Sequence, residues 1–281
     1  MRFRVLFLYL LVSSCLAAQK YDFQWLFGAR SAGGVNQVEN INFDFNQRPA
    51  SLDFVDSTDL VFFFTGTRVS DAEGNLLFYS NGCQIKNKFG DQMENGDNLN
   101  PGLVADFYCD PEDVNTYPGG TQSMLSLPQP GHDSIWYIFH SALELQPFIH
   151  VGDAMYSIIN TNMNSGAGAV TIKNMPYDTF TANGQLTACL SADMDTWFIP
   201  IPKDDNTSML VYSLDSTGLE LHHQQSIGPN WPEDNNTGTG YFTRFSPDGT
   251  LYARYGLGLG LELFDFDREE GTLSNYRRLD S

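Results

Sequence analysis

Five histidines are the only imidazoles in the chain: His132, His140, His150, His222 and His223. Their spacing matches no zinc-binding motif, so neither a metal centre nor an imidazole base is indicated. We expect ordinary structural positions for all five. His132 falls in a turn, the 222–223 pair in an outer strand, and the other two beside an apolar segment.

One group of carboxylates has an arrangement that suits calcium. Asp265, Asp267 and Glu269 precede a glycine turn, and carboxylate oxygens are the hard ligands that calcium prefers. The stretch lacks the spacing of an EF-hand loop, so the end of a strand is the alternative interpretation. No other cofactor is predicted.

The remaining motifs do not single out a catalytic centre. Cys189 has no histidine near it in sequence, and a small buried thiol is the expected role. The glycines of segment 256–260 lack the lysine and the following helix of a phosphate loop. Trp231 suits either stacking on a sugar or packing at a sheet edge. A glycosidase would use two carboxylates across a pocket, but the sequence does not single out a pair.

The composition excludes some partners and favours one class of structure. The chain has 281 residues with 15 Lys and Arg against 34 Asp and Glu, a formal charge of −19 that repels nucleic acid and anionic membranes. Charged residues are few, whereas Gly, Phe, Tyr and Pro are abundant. This mixture is typical of aromatic strands separated by tight turns.

Residues 1–18 have the three parts of a secretory signal peptide: two arginines, a short apolar run, and small residues before Gln19. A cleaved, exported protein is therefore expected, whether secreted, periplasmic or at the cell surface. The stretch around Cys15 also resembles a lipobox, which makes a lipid anchor on Cys15 the alternative. No later segment has the length of a transmembrane helix.

Three cysteines remain after cleavage, and an odd number leaves at least one thiol unpaired within the chain. Cys83 follows a strand-like run, and Cys109 lies in a polar loop of the same sequence unit. We predict a disulfide between these two residues.

Four hairpin signals recur along the chain, with turns near residues 71, 130, 192 and 247, a spacing of about 60 residues. The first turn separates strand-like runs at 62–65 and 76–80. Each later hairpin is followed by a second pair of strand-like runs, at 154–159 and 169–172, at 209–213 and 219–225, and at 261–265 and 273–276. No confident helical pattern is found. Units of four antiparallel strands at a long, even period are typical of β-propeller blades.

A family resemblance supports this interpretation. Ser246, Pro247, Asp248 and Gly249 lie in a hairpin that resembles the F-S-P-D-G motif of WD40-like, TolB-like propeller repeats. Further segments are similar to the propeller region of secreted surface proteins from gliding bacteria that use type IX secretion, although no sorting domain follows. These segments lie at 25–28, 71–82, 93–96 and 261–267. The third unit, at 191–195, departs from the repeat pattern.

The sequence therefore predicts an all-β fold, a β-propeller of about four to five blades, either truncated or closed by the strand at 21–27. Residues 19–281 form the propeller, with units of roughly 19–110, 111–180, 181–235 and 236–281. The resemblance implies a non-catalytic binding or scaffold domain at the bacterial cell envelope that recognises a protein or glycan. The alternatives are a glycan-active hydrolase with paired Asp and Glu in the propeller channel, and an inactive fragment of a larger surface protein.

Overall fold

The computed structural model describes residues 20–30, 38–55, 60–62, 65–110, 115–120, 122–146, 150–203, 208–228, 242–256 and 260–279. The expected signal peptide, Cys15 and Trp231 lie outside these ranges. Within them the chain is almost entirely β-structure, with one short helix, α1 (Leu103–Tyr108), and a 3₁₀ turn at Asn164–Gly166.

The strands form five antiparallel sheets, which we number in chain order. In each sheet the strands lie side by side in the order of the sequence. Sheet 1 holds β1 (Gln24–Arg30), β2 (Val38–Asp44) and β3 (Ser51–Val55); sheet 2 holds β4 (Thr67–Ser70), β5 (Leu76–Ser80) and β6 (Ile85–Asn87). Sheet 3 holds β7 (Leu125–Pro128), β8 (Ile135–Glu144), β9 (His150–Asn160) and β10 (Ala169–Thr179). Sheet 4 holds β11 (Cys189–Leu190), β12 (Trp197–Pro202), β13 (Ser208–Asp215) and β14 (Gly218–Ser226), and sheet 5 holds β15 (Phe242–Phe245), β16 (Leu251–Gly256), β17 (Gly260–Asp267) and β18 (Thr272–Leu279).

The four predicted hairpin turns are all present. They join β4 to β5, β7 to β8, β11 to β12 and β15 to β16. The predicted outer strand pairs form the other half of sheets 3, 4 and 5. One strand was misplaced: the partner of β5 is β4, not the run at 62–65, and Phe62 instead bridges Gly28 of β1.

The first sequence unit differs from the expectation in two ways. It contains two sheets, because residues 24–55 form three paired strands of their own. The sequence allows the strand at 21–27 to close the last blade, but β1 pairs with β2 instead. The unit also contains α1, whose six residues are too few to give a clear amphipathic pattern.

Successive sheets pack face to face. Side chains alternate between the two faces of a strand, and both faces of β8 are buried. Trp136 and Ile138 pack with sheet 2, whereas Tyr137 and Phe139 pack with sheet 4. Side chains of β13 likewise pack with sheet 3 on one face and with sheet 5 on the other. Four-stranded sheets stacked in chain order are the blades of a β-propeller, so the predicted fold is confirmed.

The inner ends of the sheets converge. The Gln122 side chain, just before β7, forms two hydrogen bonds with the backbone of Thr243 in β15: the Thr243 amide donates to Gln122 Oε1 at 2.7 Å, and Gln122 Nε2 donates to the Thr243 carbonyl at 2.9 Å. Thr243 Oγ1 also donates to the Gln185 carbonyl. These contacts join the innermost segments of sheets 3, 4 and 5.

Sheet 1 has a mixed face turned towards sheet 2 and an apolar face that is partly exposed. Leu26 points towards sheet 2 and packs with Leu60 and Tyr79. The opposite face is lined with aromatic and aliphatic side chains that face each other across the strands, and several are about half-exposed. Its members are Trp25, Phe27, Ile41, Phe43, Leu52 and Phe54.

Two turns share the same hydrogen bonds although their sequences differ. Ser191 Oγ donates to Asp193 Oδ1 at 2.6 Å, and Ser246 Oγ donates to Asp248 Oδ1 at 2.6 Å. In each turn the serine hydroxyl also accepts the amide five residues later. The turn at 191–196 is thus built like the repeat motif at 246–251, which the sequence did not reveal.

The outer strand of sheet 3 is covered by a loop that follows β6. Glu94 bridges Ala169 of β10 in parallel, and its carbonyl accepts the Val170 amide at 2.9 Å. Asn95 Nδ2 donates to the Val170 carbonyl at 2.9 Å. Further along β10, Lys173 forms an ion pair with Asp97.

Candidate functional site

One groove of the described structure has a volume of about 940 Å³. It lies where the turns of sheets 2, 3 and 4 meet. These turns contribute segments 71–73, 128–133, 194–197 and 215–216. Because all of them are strand-to-strand turns at one end of adjacent blades, the fold itself brings these distant segments together.

Aromatic rings form part of the groove. Tyr21 packs edge-on against Trp136, with ring centroids 5.2 Å apart. Trp197 lies at the start of β12, and its indole Nε1 donates to the Pro128 carbonyl at 3.1 Å. This bond holds the ring in place and ties sheet 4 to the turn of sheet 3.

The groove is acidic. Its lining, as far as the structure describes it, includes five carboxylates and no lysine or arginine. Their field acts on Tyr21, whose pKa is raised first by burial and then by the charges of Asp133, Glu73 and Asp71. An anionic ligand is therefore repelled, and a cationic or uncharged one is favoured. The five acids are Asp71, Glu73, Asp133, Asp195 and Asp215.

Two of the five acids also build their own turns. Asp71 accepts hydrogen bonds from the amides of Glu73 and Asn75, and Asp215 accepts from Thr217. The Thr217 bonds lower the pKa of Asp215. By contrast, Glu73 and Asp133 are exposed, and their carboxylates accept no such turn bonds from the described residues. These two carboxylates are the ones best placed to contact a ligand.

Two of the three predicted calcium ligands, Asp265 and Asp267, have protein partners in the structure. Asp265 is held by Arg277 at 2.6 Å and by Asn275 at 2.7 Å, and the Arg277 hydrogen bond lowers its pKa. Asp267 accepts the amides of Glu269 and Glu270, as a strand-end turn does. Across the described ranges, no group of three or more His, Cys, Asp or Glu side chains is arranged to hold a metal ion.

His140 forms a chain of hydrogen bonds that resembles a catalytic triad. Its Nε2 lies 2.9 Å from Ser157 Oγ, and its Nδ1 lies 2.6 Å from Asn100 Oδ1. However, the Ser157 and His140 side chains are both completely buried, and the Ser157 hydroxyl also accepts the Asn174 amide. Burial lowers the pKa of His140 to about 3. The cluster therefore fastens sheet 3 to the loop at 100, and a substrate has no route to its hydroxyl.

The other histidines have structural contacts. His132 Nε2 lies 3.2 Å from the Ser216 carbonyl at the groove, and His150 stacks on Phe180. His222 contacts the Glu270 carbonyl across sheets 4 and 5, and His223 contacts Gln225.

The cysteine predictions can be compared directly with the structure. Cys83 and Cys109 form a disulfide, as predicted. Cys189 is unpaired and buried beside Gly249, and its pKa is raised by burial. A thiol in this state is a poor nucleophile, in agreement with the packing role expected for it.

A glycosidase requires a carboxyl whose pKa is raised so that it can act as a general acid. Within the described ranges, every carboxyl with a resolved pKa shift has a lowered pKa: Asp97, Asp178, Asp193, Asp215, Asp248 and Asp265. At Asp178, burial acts to raise the pKa, but hydrogen bonds from Lys203 and its neighbours outweigh it.

Sequence reasoning missed the groove. Three of the four turns that carry its acids are among the predicted hairpin turns, but the sequence does not show that these turns are neighbours; the turn of Asp215 was not among them. The available signal was the repetition of acidic residues at successive hairpin turns.

No family model matches this chain, and no curated protein matches it. Among solved structures, it is similar to a puromycin hydrolase at 8% identity and a TM-score of 0.41, over 92% of this chain and 38% of that one. It is also similar to dipeptidyl peptidase 4 of Porphyromonas gingivalis at 9% identity and a TM-score of 0.38, again over 92% and 38%. The chain thus spans about two fifths of each, and likenesses this weak carry no argument about activity. No described helix has the length and hydropathy needed to span a bilayer.

Proposed function

We propose that this chain is an exported, non-catalytic recognition domain of the bacterial cell envelope. Its groove binds a cationic or uncharged part of a partner protein or glycan. The observation that carries the proposal is the acidic, aromatic-lined groove of about 940 Å³ between the turns of adjacent blades.

The chemistry of the groove favours binding. Acidic side chains that face solvent attract a cationic ligand and speed its association, and aromatic rings give contact area for a peptide or a sugar face. The resemblance of segment 245–253 to WD40-like repeats, and of the chain to surface proteins of gliding bacteria, supports the placement at the envelope. The signal-peptide pattern at 1–18 and the Cys83–Cys109 disulfide agree with export.

The test is a titration of residues 19–281 with four probes: an oligo-lysine peptide, neutral oligosaccharides, poly-glutamate and heparin. We expect binding of the lysine peptide or of a neutral sugar and none of the two anionic polymers. The double variant Glu73→Gln/Asp133→Asn should weaken binding of the lysine peptide about fivefold, since solvent-facing charges contribute modestly.

The matched control is Asp106→Asn, which removes an exposed carboxylate of α1 outside the groove. It should leave the affinity unchanged. Equal binding of cationic and anionic probes, or binding of none of them, would overturn the proposal. Release of reducing sugar from a polysaccharide panel would instead favour the hydrolase.

A further inference from the structure

A second cleft, of about 420 Å³, lies along the inner edge of β1 where sheet 1 meets sheet 2. Trp25 and Phe27 line it and are about half-exposed, with Phe62 completing the aromatic wall. Its lining differs from that of the acidic groove because it contains an arginine, Arg68.

The strand β4 directs Arg68 into this cleft. Val69 packs into the core shared with sheet 3, so its neighbour Arg68 points the other way, towards sheet 1. The guanidinium lies 5.9 Å from the centre of the Tyr79 ring, and Nη2 donates to Gln24 Oε1 at 3.2 Å. Gln24 is itself held by Asn42 Nδ2 at 3.1 Å. The arginine is therefore held in place from two sides.

Among the described residues, no counter-ion lies at contact distance from Arg68. Asp22 also lines the cleft, and Asp44 acts on Arg68 from further away, but within the described ranges Arg68 forms no ion pair. Its Nε is buried and has no hydrogen-bond partner. Burial lowers its pKa to about 10, so the group stays charged at neutral pH. A half-buried cation without an anion costs free energy, which a bound anion would recover.

We propose that this cleft binds the carboxylate of a small organic acid or a chain end that carries an apolar group. Arg68 holds the carboxylate, and Trp25 and Phe27 cover the apolar part. The forked guanidinium matches a planar carboxylate. A single cation beside Asp22 suits one negative charge better than the two charges of a phosphate monoester.

The test compares two probes that differ only in charge, N-acetyl-phenylalanine and N-acetyl-phenylalaninamide, titrated into residues 19–281 by calorimetry. We expect the acid to bind at least about tenfold more tightly than the amide. Arg68→Met should remove this preference. Trp25→Ala should lower the affinity for both probes by the same factor. A tetrapeptide with a free terminal phenylalanine, compared with its amidated form, distinguishes a chain end from a free acid as the natural source.

Two controls keep the result interpretable. Phe54→Ala removes an exposed aromatic of sheet 1 that does not line the cleft, and it should change neither affinity. Thermal unfolding of Arg68→Met should show a folded protein, because methionine fills the same space without a buried charge. Equal affinity for acid and amide, an acid preference that survives in Arg68→Met, or no binding at millimolar concentration would each overturn the proposal.

Discussion

Met194 and Gly249 occupy the same position in two turns with the same hydrogen bonds, and both have a left-handed backbone, with φ of +67° and +72°. Each amide donates to the carbonyl of the serine three residues earlier. Glycine adopts this conformation without strain, whereas a side chain opposes it. The turn that contains Met194 is therefore strained.

The first prediction follows from this strain. Met194→Gly should raise the free energy of unfolding by about 0.5 kcal/mol, because the relief of strain exceeds the added flexibility of the unfolded chain. Urea unfolding measures the change. Gly249→Ala is the matched control in the other turn: its Cβ would lie 2.6 Å from Cys189 Sγ, so we expect a loss of about 2 kcal/mol. A destabilised Met194→Gly protein would contradict this account.

The second prediction concerns the disulfide. Cys83 lies in a buried cluster with Val104 of α1, and the disulfide closes a loop with a sequence separation of 26. Replacing both Cys83 and Cys109 by alanine should lower the free energy of unfolding by about 3 kcal/mol, because the unfolded chain regains freedom. Cys189→Ala is the control: it keeps the disulfide, so a reducing agent should lower its free energy of unfolding by the same amount as in the wild type. An unchanged urea midpoint in the double variant would contradict the prediction.

The third prediction is a pH dependence caused by His140. Its pKa is about 3 in the folded protein, against about 6.5 in an unfolded chain. As far as His140 is concerned, the free energy of unfolding is highest above pH 6.5. It falls as the pH falls towards 3, because in this range only the unfolded state takes up the proton. The free energy of unfolding should fall by roughly 1.4 kcal/mol per pH unit below pH 6.

The range from pH 6 to 5 suits this test, because the carboxyls of an unfolded chain have pKa values of about 4 and take up few protons there. In His140→Gln the free energy of unfolding should fall less steeply with decreasing pH in that range. The difference in slope should correspond to about one bound proton. A slope that stays the same in this variant would show that other groups cause it.

The fourth prediction concerns a buried ion pair in sheet 5. Arg254 Nε donates to Glu262 Oε2 at 2.6 Å, both side chains are almost completely buried, and the Tyr276 hydroxyl donates to Glu262 Oε1 at 2.9 Å. Glu262→Gln removes the carboxylate of this buried pair and should cost about 3 kcal/mol. In Arg254→Met/Glu262→Met both charges are absent, and we expect at least half of that loss to be recovered. A double variant as unstable as Glu262→Gln would contradict this.

The blade pattern could be predicted because each unit carries its own local signals. Turn sequences such as Pro247-Asp248-Gly249 favour one backbone conformation, and strands such as β16 alternate between more and less buried residues. The pairing of Cys83 with Cys109 was also accessible, because both lie in one unit.

Sheet 1 and the two clefts could not be predicted in the same way. Ile41 and Phe43 alternate with polar residues, which is a strand signal, but the segment lacks the hairpin turn that marked the other units. The groove is formed by turns that are as far apart in sequence as residues 71 and 216. Arg68 lines a cleft only because sheet 1 packs on sheet 2. Such neighbours depend on how whole sheets stack, which residue patterns do not encode directly.

The loop that covers β10 also bears on how the protein behaves in a concentrated solution. An outer strand with open hydrogen-bonding groups is a template on which another chain can add a strand. Glu94 and Asn95 occupy the Val170 amide and carbonyl. The outer edge of sheet 3 is therefore closed to the addition of another strand at Val170 for as long as this loop stays in place.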